Sequence, residues 1–219
     1  MDVGLNHERG PGPCTDGTRI SITADEINSL PLRCYSGKTS VISDPSRVAR
    51  VIRDIEAYDV VGFDTETRPS FRKGQLYDVS LLQLATPRKV YLIRLNHTGI
   101  TDEIAALLSN PGIIKAGVGI RDDLKALQKL RKFEPAGFYD LSTLAKQAGL
   151  QVESVKKLTA LLLGFRISKS AQTSNWEVRT FTQKQIEYAA TDAWVCLELF
   201  HKLKPENTGR INGHSLNAH

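Results

Sequence analysis

The segment Val60-Val61-Gly62-Phe63-Asp64-Thr65-Glu66-Thr67 places two acids at the end of a short apolar run. The apolar run is typical of a strand buried on both faces. Because a strand repeats every two residues, the side chains of Asp64 and Glu66 are predicted to leave the sheet on the same face. Burying two like charges is unfavourable unless a cation neutralises them, and hard divalent ions prefer carboxylate oxygens. A pair of solvated acids at a strand end is the alternative, and this segment alone does not decide between them.

The composition fits one globular domain. The 219 residues are 41% hydrophobic and 24% charged, which excludes a disordered or a membrane-spanning chain. The net charge of +5 is compatible with a polyanionic partner. The three cysteines are widely spaced and form no metal-binding pattern, and the N-terminus has no apolar signal core. We therefore expect an intracellular protein, cytoplasmic or, in a eukaryote, nuclear, without a membrane partner.

The hydrophobic pattern divides the chain into three parts. Residues 1–43 are predicted to be an N-terminal arm and lead-in, with brief strands or an irregular path over residues 20–42. Residues 44–204 are predicted to be the domain, and residues 205–219 a disordered tail. The domain is predicted to contain five strands, near residues 60–67, 78–86, 89–95, 113–118 and 138–140. Helices are predicted over residues 44–58, 101–109, 120–131 and 182–203, with a helical pattern from Leu141 onward.

The order of these elements predicts the fold class. The first three strands follow one another through links of hairpin length, and helices and strands then alternate before a helical C-terminal part. This order favours an α/β fold in which a mixed five-stranded sheet is flanked by helices.

A second acidic candidate lies where residues 113–118 lead into a helix. Neighbouring helical residues differ in direction by about 100°, so Asp122 and Asp123 cannot both face one site. Asp123 comes three residues after Ile120 and four before Leu127, two apolar residues that define the buried side. We therefore predict that Asp123 faces the site and Asp122 faces solvent. An acid stabilised by the helix dipole is the alternative.

A third candidate pair is Tyr188 and Asp192, four residues apart in a strongly helical pattern. Residues at this spacing share one face of a helix. The small residues Ala189 and Ala190 leave room for a close approach to another element. Tyrosine is neutral at pH 7 and can orient a water molecule through a hydrogen bond. A buried tyrosine on an ordinary amphipathic helix is the alternative.

Taken together, the three segments resemble the DEDD superfamily of 3′–5′ exonucleases in its tyrosine subclass, which includes ribonuclease D and Werner-type exonuclease domains. The first family motif matches Asp64-x-Glu66, the second Ile-x-x-Asp123, and the third Tyr188-x-x-x-Asp192. Residues 169–176 are similar to a further family pattern, Lys-x-x-Gln-x-Ser-x-Trp.

The resemblance implies a ribonuclease H-like fold and a metal-dependent hydrolysis of DNA or RNA from the 3′ end that releases nucleoside 5′-monophosphates. Asp64, Glu66, Asp123 and Asp192 would bind two divalent ions, Mg²⁺ or Mn²⁺, and Tyr188 would align the attacking water. The partner would be a single strand or the 3′ end of a duplex, in DNA repair or RNA processing.

Five further residues are candidates for substrate binding. Thr67 follows the acidic pair, and Gln83 is predicted on the adjacent strand. Lys169 and Arg179 could contact phosphates, and Trp176 could stack on a base or sugar.

Two other functions compete with this interpretation. A nucleic-acid-binding module that has lost catalysis would lack one of the acids, and none is missing here. An endonuclease of the ribonuclease H type is disfavoured by the Tyr-x-x-x-Asp pair, which belongs to the exonucleolytic branch.

Overall fold

A computed structural model describes residues 20–72 and 74–204. In these ranges six strands form one sheet: β1 Lys38–Ile42, β2 Val60–Thr67, β3 Val79–Ala85, β4 Lys89–Arg94, β5 Ile114–Gly117 and β6 Phe138–Asp140. Their spatial order is β1-β4-β3-β2-β5-β6. The pairs β1–β4, β2–β5 and β5–β6 are parallel, whereas β3 is antiparallel to both of its neighbours. The predicted mixed sheet is therefore present.

The same ranges contain eight α-helices: α1 Ala24–Ser29, α2 Val48–Glu56, α3 Leu95–Thr98, α4 Asp102–Leu108, α5 Ile120–Leu130, α6 Leu141–Gln147, α7 Val155–Leu158 and α8 Gln183–Leu203. A 3₁₀ turn, Pro45–Arg47, leads into α2, and a π-helical turn, Thr159–Leu163, follows α7. The longest helix, α8, begins at a capping box in which Thr182 and Gln185 exchange side-chain and backbone hydrogen bonds.

The sheet has six strands rather than the five predicted. The additional strand, β1, lies before residue 44 and pairs with β4 along the edge of the sheet. Only Ile42 in β1 is fully buried, so the strand lacks the continuous apolar run that marks β2 and β3. An edge strand of this kind is recognised only through its partner. The limits of 44 and 204 for the domain stay a prediction, and residues 1–19 and 205–219 lie outside the described residues.

Two further expectations were wrong. The link between β2 and β3, residues 68–78, is longer than a hairpin turn. Residues 164–182, which follow the π-helical turn, form turns and an isolated bridge rather than a helix. In both places tertiary contacts, rather than local periodicity, decide the path of the chain.

Helices cover both faces of the sheet. On one face α2, α4 and α5 pack over a core that includes Ile52, Phe63 and Leu127. On the other face α8 crosses β2, β3, β4 and β5, with α6 beside it. The residues of β2 therefore alternate between the two layers, and Asp64 and Glu66 belong to the layer of α8. None of the helices in the described ranges has the length and apolar character needed to cross a membrane.

Candidate active site

Close packing of α8 on β2 positions the site. Gly62 is two residues before Asp64 and faces α8, and a Cβ atom added there would lie 1.9 Å from the carbonyl oxygen of Ala193. Any side chain at this position would push the helix away from the strand. The facing residues of α8, Ala189 and Ala193, are small and fully buried. A glycine on the strand and alanines on the helix thus allow Asp192 to approach the acids of β2.

Three carboxylates converge at this contact. Ligand oxygens of Asp64, Glu66 and Asp192 all lie within 4.8 Å of one another. Burial, followed by repulsion from neighbouring acids, raises the pKa of Asp64 well above its ordinary value and that of Glu66 to about 10. Burial also raises the pKa of Asp192 to about 7. Among the described residues no cationic side chain neutralises these carboxylates, and their oxygens are the donors that a hard divalent cation prefers.

Asp123 approaches from the opposite layer. The hydroxyl of Thr65, the residue between the two acids of β2, donates a hydrogen bond of 2.5 Å to the Oδ1 atom of Asp123. Asp123 lies outside the group of three, yet its charge still contributes to the raised pKa of Asp64. Asp122 points to solvent, with 90% of its side chain exposed, and pairs with Lys125 at 3.1 Å. The direction of the two side chains thus agrees with helical geometry, while the metal-binding role of Asp123 stays a prediction.

Tyr188 lies one helical turn before Asp192 and is half-buried. Burial is the main reason that its pKa is raised, and repulsion from Asp192 and Glu66 adds to it. A hydrogen bond from the Tyr188 hydroxyl partly offsets the effect of burial on Asp192 by lowering the pKa of that carboxyl. Tyr188 is therefore a neutral hydrogen-bond donor at the edge of the acidic cluster.

A small cavity opens beside Tyr188 and Asp192. Two polar groups on its wall, Lys169 and Gln172, precede α8, and a third, Lys156, lies on α7. Sequence reasoning did not select Lys156, because no motif surrounds it and only the packing of α7 against α8 brings it to the site. Lys169, one of the predicted phosphate contacts, is exposed at this cavity.

The other predicted substrate contacts differ in exposure. Thr67 is half-buried at the end of β2, and Arg179 is exposed. Gln83 lies opposite Asp64 in the register of β2 and β3 and is fully buried, and its amide nitrogen and oxygen have no hydrogen-bond partner among the described residues. It therefore offers no surface to a substrate in this conformation.

Trp176 is also fully buried, packed edge-on against Phe181 with ring centroids 5.6 Å apart. Stacking of this ring on a base or sugar, as predicted, is not available in the observed structure. Its Nε1 atom makes no hydrogen bond of ordinary geometry with the described residues, but its interaction with Glu66 lowers the pKa of that carboxyl. The Trp176 side chain thus interacts with Glu66 from the protein interior and favours the ionised form of that carboxyl.

Comparison with known sequences agrees with the arrangement of the site. The profile of the family described as 3′-5′ exonuclease matches residues 39–207. The chain is 34% identical over 151 residues to the mouse bifunctional 3′-5′ exonuclease/ATP-dependent helicase WRN, covering 66% of this chain and 11% of that protein. It is 31% identical over 173 residues to ribonuclease D of Haemophilus influenzae, covering 76% of this chain and 41% of that protein.

The relationship also holds for a plant protein, the 3′-5′ exonuclease of Arabidopsis thaliana, which is 32% identical over 158 residues. That match covers 69% of this chain and 55% of the plant protein, so the chain corresponds to only part of each of these relatives.

Solved structures share the fold. Ribonuclease D of Escherichia coli superposes with a TM-score of 0.72 at 23% identity, covering 79% of this chain and 46% of that one. The EXO domain of Nibbler from Aedes aegypti gives a TM-score of 0.70 at 23% identity, covering 84% of this chain and 99% of that one. Since the family profile spans most of the chain, this protein belongs to the family of 3′–5′ exonucleases, which are hydrolases.

Proposed function

We propose that this chain hydrolyses phosphodiester bonds of DNA or RNA from the 3′ end and releases nucleoside 5′-monophosphates. The observation that carries the proposal is the convergence of Asp64, Glu66 and Asp192 within 4.8 Å, with Tyr188 beside them. Family membership supports the same reaction, because the matching relatives are named as 3′-5′ exonucleases.

The chemistry of the cluster fits divalent metal ions, on which the family depends. Asp64, Glu66 and Asp192 would hold one ion, and Asp64 together with Asp123 would hold a second. Three crowded carboxylates with raised pKa values support this assignment, since a cation is the partner that they lack among the described residues. Two bound Mg²⁺ or Mn²⁺ ions would lower the pKa of water and neutralise charge that develops on the phosphate.

Side chains around the acidic cluster would align the attacking water and support the acids. Tyr188 is a neutral donor at the cluster edge, so its hydroxyl can hold the attacking water in line with the scissile bond. Trp176 and Gln83 are too deeply buried to bind substrate. Trp176 interacts with Glu66, and Gln83 pairs with Asp64 in the register of β2 and β3.

Cationic side chains near the cavity suit a polyanionic strand. Lys169 and Lys156 line the cavity beside Asp192, and Arg179 is exposed on the segment that leads into α8. Such groups position a strand through its phosphates without reading its sequence. A solved structure of similar fold, ribonuclease D of Trypanosoma brucei, contains RNA U12, which supports nucleic acid as the partner of this chain.

The test uses strands labelled at the 5′ end and incubated with Mn²⁺. We expect a ladder of products shortened one nucleotide at a time from the 3′ end. Asp123→Asn should abolish the ladder, whereas the matched variant Asp122→Asn should cleave at the wild-type rate because that side chain is exposed and faces away.

Other outcomes would contradict the proposal. Internal cuts would indicate an endonuclease, and tight binding of the strand without any product would indicate a catalytically silent module. Loss of activity in Asp122→Asn but not in Asp123→Asn would show that the second acid of the site was assigned to the wrong residue.

A further inference from the structure

The link between β2 and β3 carries two unusually exposed apolar side chains. Phe71 is 83% exposed and Leu76 is 88% exposed, more than any other large hydrophobic residue in the part of the chain that the structure describes. Both side chains belong to the same loop, where their apolar surface is available to a binding partner. Neither residue belongs to a motif that sequence reasoning selected.

The base of this loop is anchored to the segment that leads into α8. Arg68 forms an ion pair with Glu177 at 3.0 Å and lies over the ring of Tyr77 at 4.5 Å from its centroid. The anchored loop and this segment form a cleft lined by Arg68, Phe71, Arg72, Tyr77, Thr173 and Asn175. The exposed Phe71 therefore stands on the wall of a formed cleft.

The cleft and the cavity of the candidate active site are bordered by the same segments of the chain. Arg68 is only two residues beyond Glu66 along the chain. Residues 169–176 border both places, since Lys169 and Gln172 line the cavity at Asp192 whereas Thr173 and Asn175 line the cleft. A strand whose terminal phosphodiester lies at the acids can therefore extend along this segment into the cleft.

The chemistry of the cleft suits an unpaired nucleic acid strand. Arg72 is exposed and has no carboxylate partner among the described residues, so its guanidinium is available to a phosphate. An exposed aromatic ring beside a cation is the combination on which unpaired bases stack, whereas the bases of a duplex already stack on one another. The cleft carries both an aromatic ring and a cation, and it borders the segment that also lines the cavity at Asp192. These features favour an unpaired nucleic acid strand over a protein as the partner.

We propose that the cleft between the β2–β3 link and residues 173–175 binds the single-stranded nucleic acid that precedes the scissile nucleotide, with Phe71 stacking on a base and Arg72 contacting a phosphate. This inference rests on the proposed exonuclease function. It predicts that the enzyme distinguishes long strands from short ones through residues that do not touch the reacting atoms.

The experiment measures binding and cleavage separately. Binding of a 12-nucleotide strand with phosphorothioate linkages at its 3′ end, which resist hydrolysis, is followed by fluorescence anisotropy in the presence of Mn²⁺. Phe71→Ala should weaken binding about tenfold, since a base stacked on an aromatic side chain is worth roughly 1–3 kcal/mol. Phe71→Leu, which keeps an apolar side chain, should weaken it almost as much if stacking is the cause.

A matched pair tests the arginine. Arg72→Ala should weaken binding and reduce the dependence of log K on log salt by about one unit. Arg88→Ala removes another exposed arginine, from the turn between β3 and β4 at the opposite end of the strands, and should leave binding unchanged. All three substituted side chains are exposed, so the melting temperature should stay at the wild-type value.

Cleavage of a dinucleotide then separates this inference from the proposed function. A dinucleotide offers at most one nucleotide to the cleft, so Phe71→Ala and Arg72→Ala should impair its cleavage far less than they impair cleavage of the 12-nucleotide strand. Unchanged binding of the 12-nucleotide strand in both variants would overturn the inference, as would an equal loss for both lengths of substrate. A wild-type protein that cleaves neither substrate would overturn the proposed function, while the binding measurements would still decide the role of the cleft.

Discussion

Two neighbouring strands each bury ionisable groups, with opposite consequences. On β2, Asp64 and Glu66 meet Asp192 at short range. Burial raises the pKa values of all three, and repulsion from neighbouring acids adds to the effect for Asp64 and Glu66. On β5, Lys115 pairs in register with Val61 of β2 and is fully buried. Its ammonium group donates to the carbonyl oxygens of Leu107 at 3.1 Å and Asn110 at 2.7 Å.

The difference lies in what compensates each charge. The Lys115 ammonium donates to one carbonyl in the last turn of α4 and to one just after it, so it contributes to the fold, although burial lowers its pKa to about 8. The acids have no such partner among the described residues and destabilise the fold when they are ionised. A buried charge that is satisfied by the protein is thus structural, and a cluster left without compensation indicates a ligand.

Asp192→Asn should separate these two kinds of site most clearly. We expect hydrolysis to fall at least about 1000-fold, because a lost metal ligand removes several kcal/mol of transition-state stabilisation. The metal-free variant should unfold at the same or a higher temperature at pH 8, because a repulsive buried charge is gone. Cleavage assays and thermal unfolding measure the two effects. A large loss of stability would show that Asp192 has a structural role rather than a metal-binding one.

Tyr188→Phe should have the next largest effect. The substitution keeps the ring in its place against Trp176, whose centroid is 6.1 Å away, and removes only the hydroxyl. We expect kcat to fall about 100-fold, as for the loss of one positioned hydrogen-bonding group. The affinity for Mn²⁺, measured by titration calorimetry, should change little. A wild-type kcat would refute the role of the hydroxyl.

The pH dependence of stability gives a further test of the contrast between the acids and Lys115. The pKa of Asp192 is raised to about 7 in the folded protein, so the metal-free fold binds this proton more tightly than the unfolded chain does. Its free energy of unfolding should therefore decrease as the pH rises from about 4 to about 7.

Mn²⁺ competes with that proton, so the stabilisation by the metal should increase over the same pH range. At 100 times its dissociation constant a ligand stabilises a protein by about 2.7 kcal/mol. Melting temperatures with and without Mn²⁺ between pH 5 and 7.5 measure this gain, and a larger gain at pH 5 would contradict the assignment.

Lys115→Met should have the smallest effect on function and a moderate one on stability. Two hydrogen bonds from a charged donor would be lost, which costs about 1–3 kcal/mol of unfolding free energy. Cleavage per folded molecule should stay at the wild-type value. The control Lys129→Met removes an exposed lysine from α5 and should change stability by less than about 0.5 kcal/mol. If Lys115→Met impaired hydrolysis of a fully folded protein, the contrast between the two strands would be wrong.

Local patterns in the sequence predicted most of the elements that build the site. The strand Val60–Thr67 and the helix Gln183–Leu203 were recognised because their periodicity and end signals lie within a few consecutive residues. The same local geometry predicted that Asp123, rather than Asp122, faces inward. The motif resemblance then suggested which of these residues work together.

Tertiary structure alone decided the rest. The edge strand β1 depends on its pairing with β4, the complete burial of Trp176 depends on α8, and the position of Lys156 depends on the packing of α7. The exposed loop with Phe71 carries no periodicity that could reveal its anchoring through Arg68 and Glu177. Hydrophobic periodicity and helix caps are set by residues close together in the sequence. The burial of a side chain, the pairing of an edge strand and the path of a loop arise from contacts between residues that are far apart in sequence.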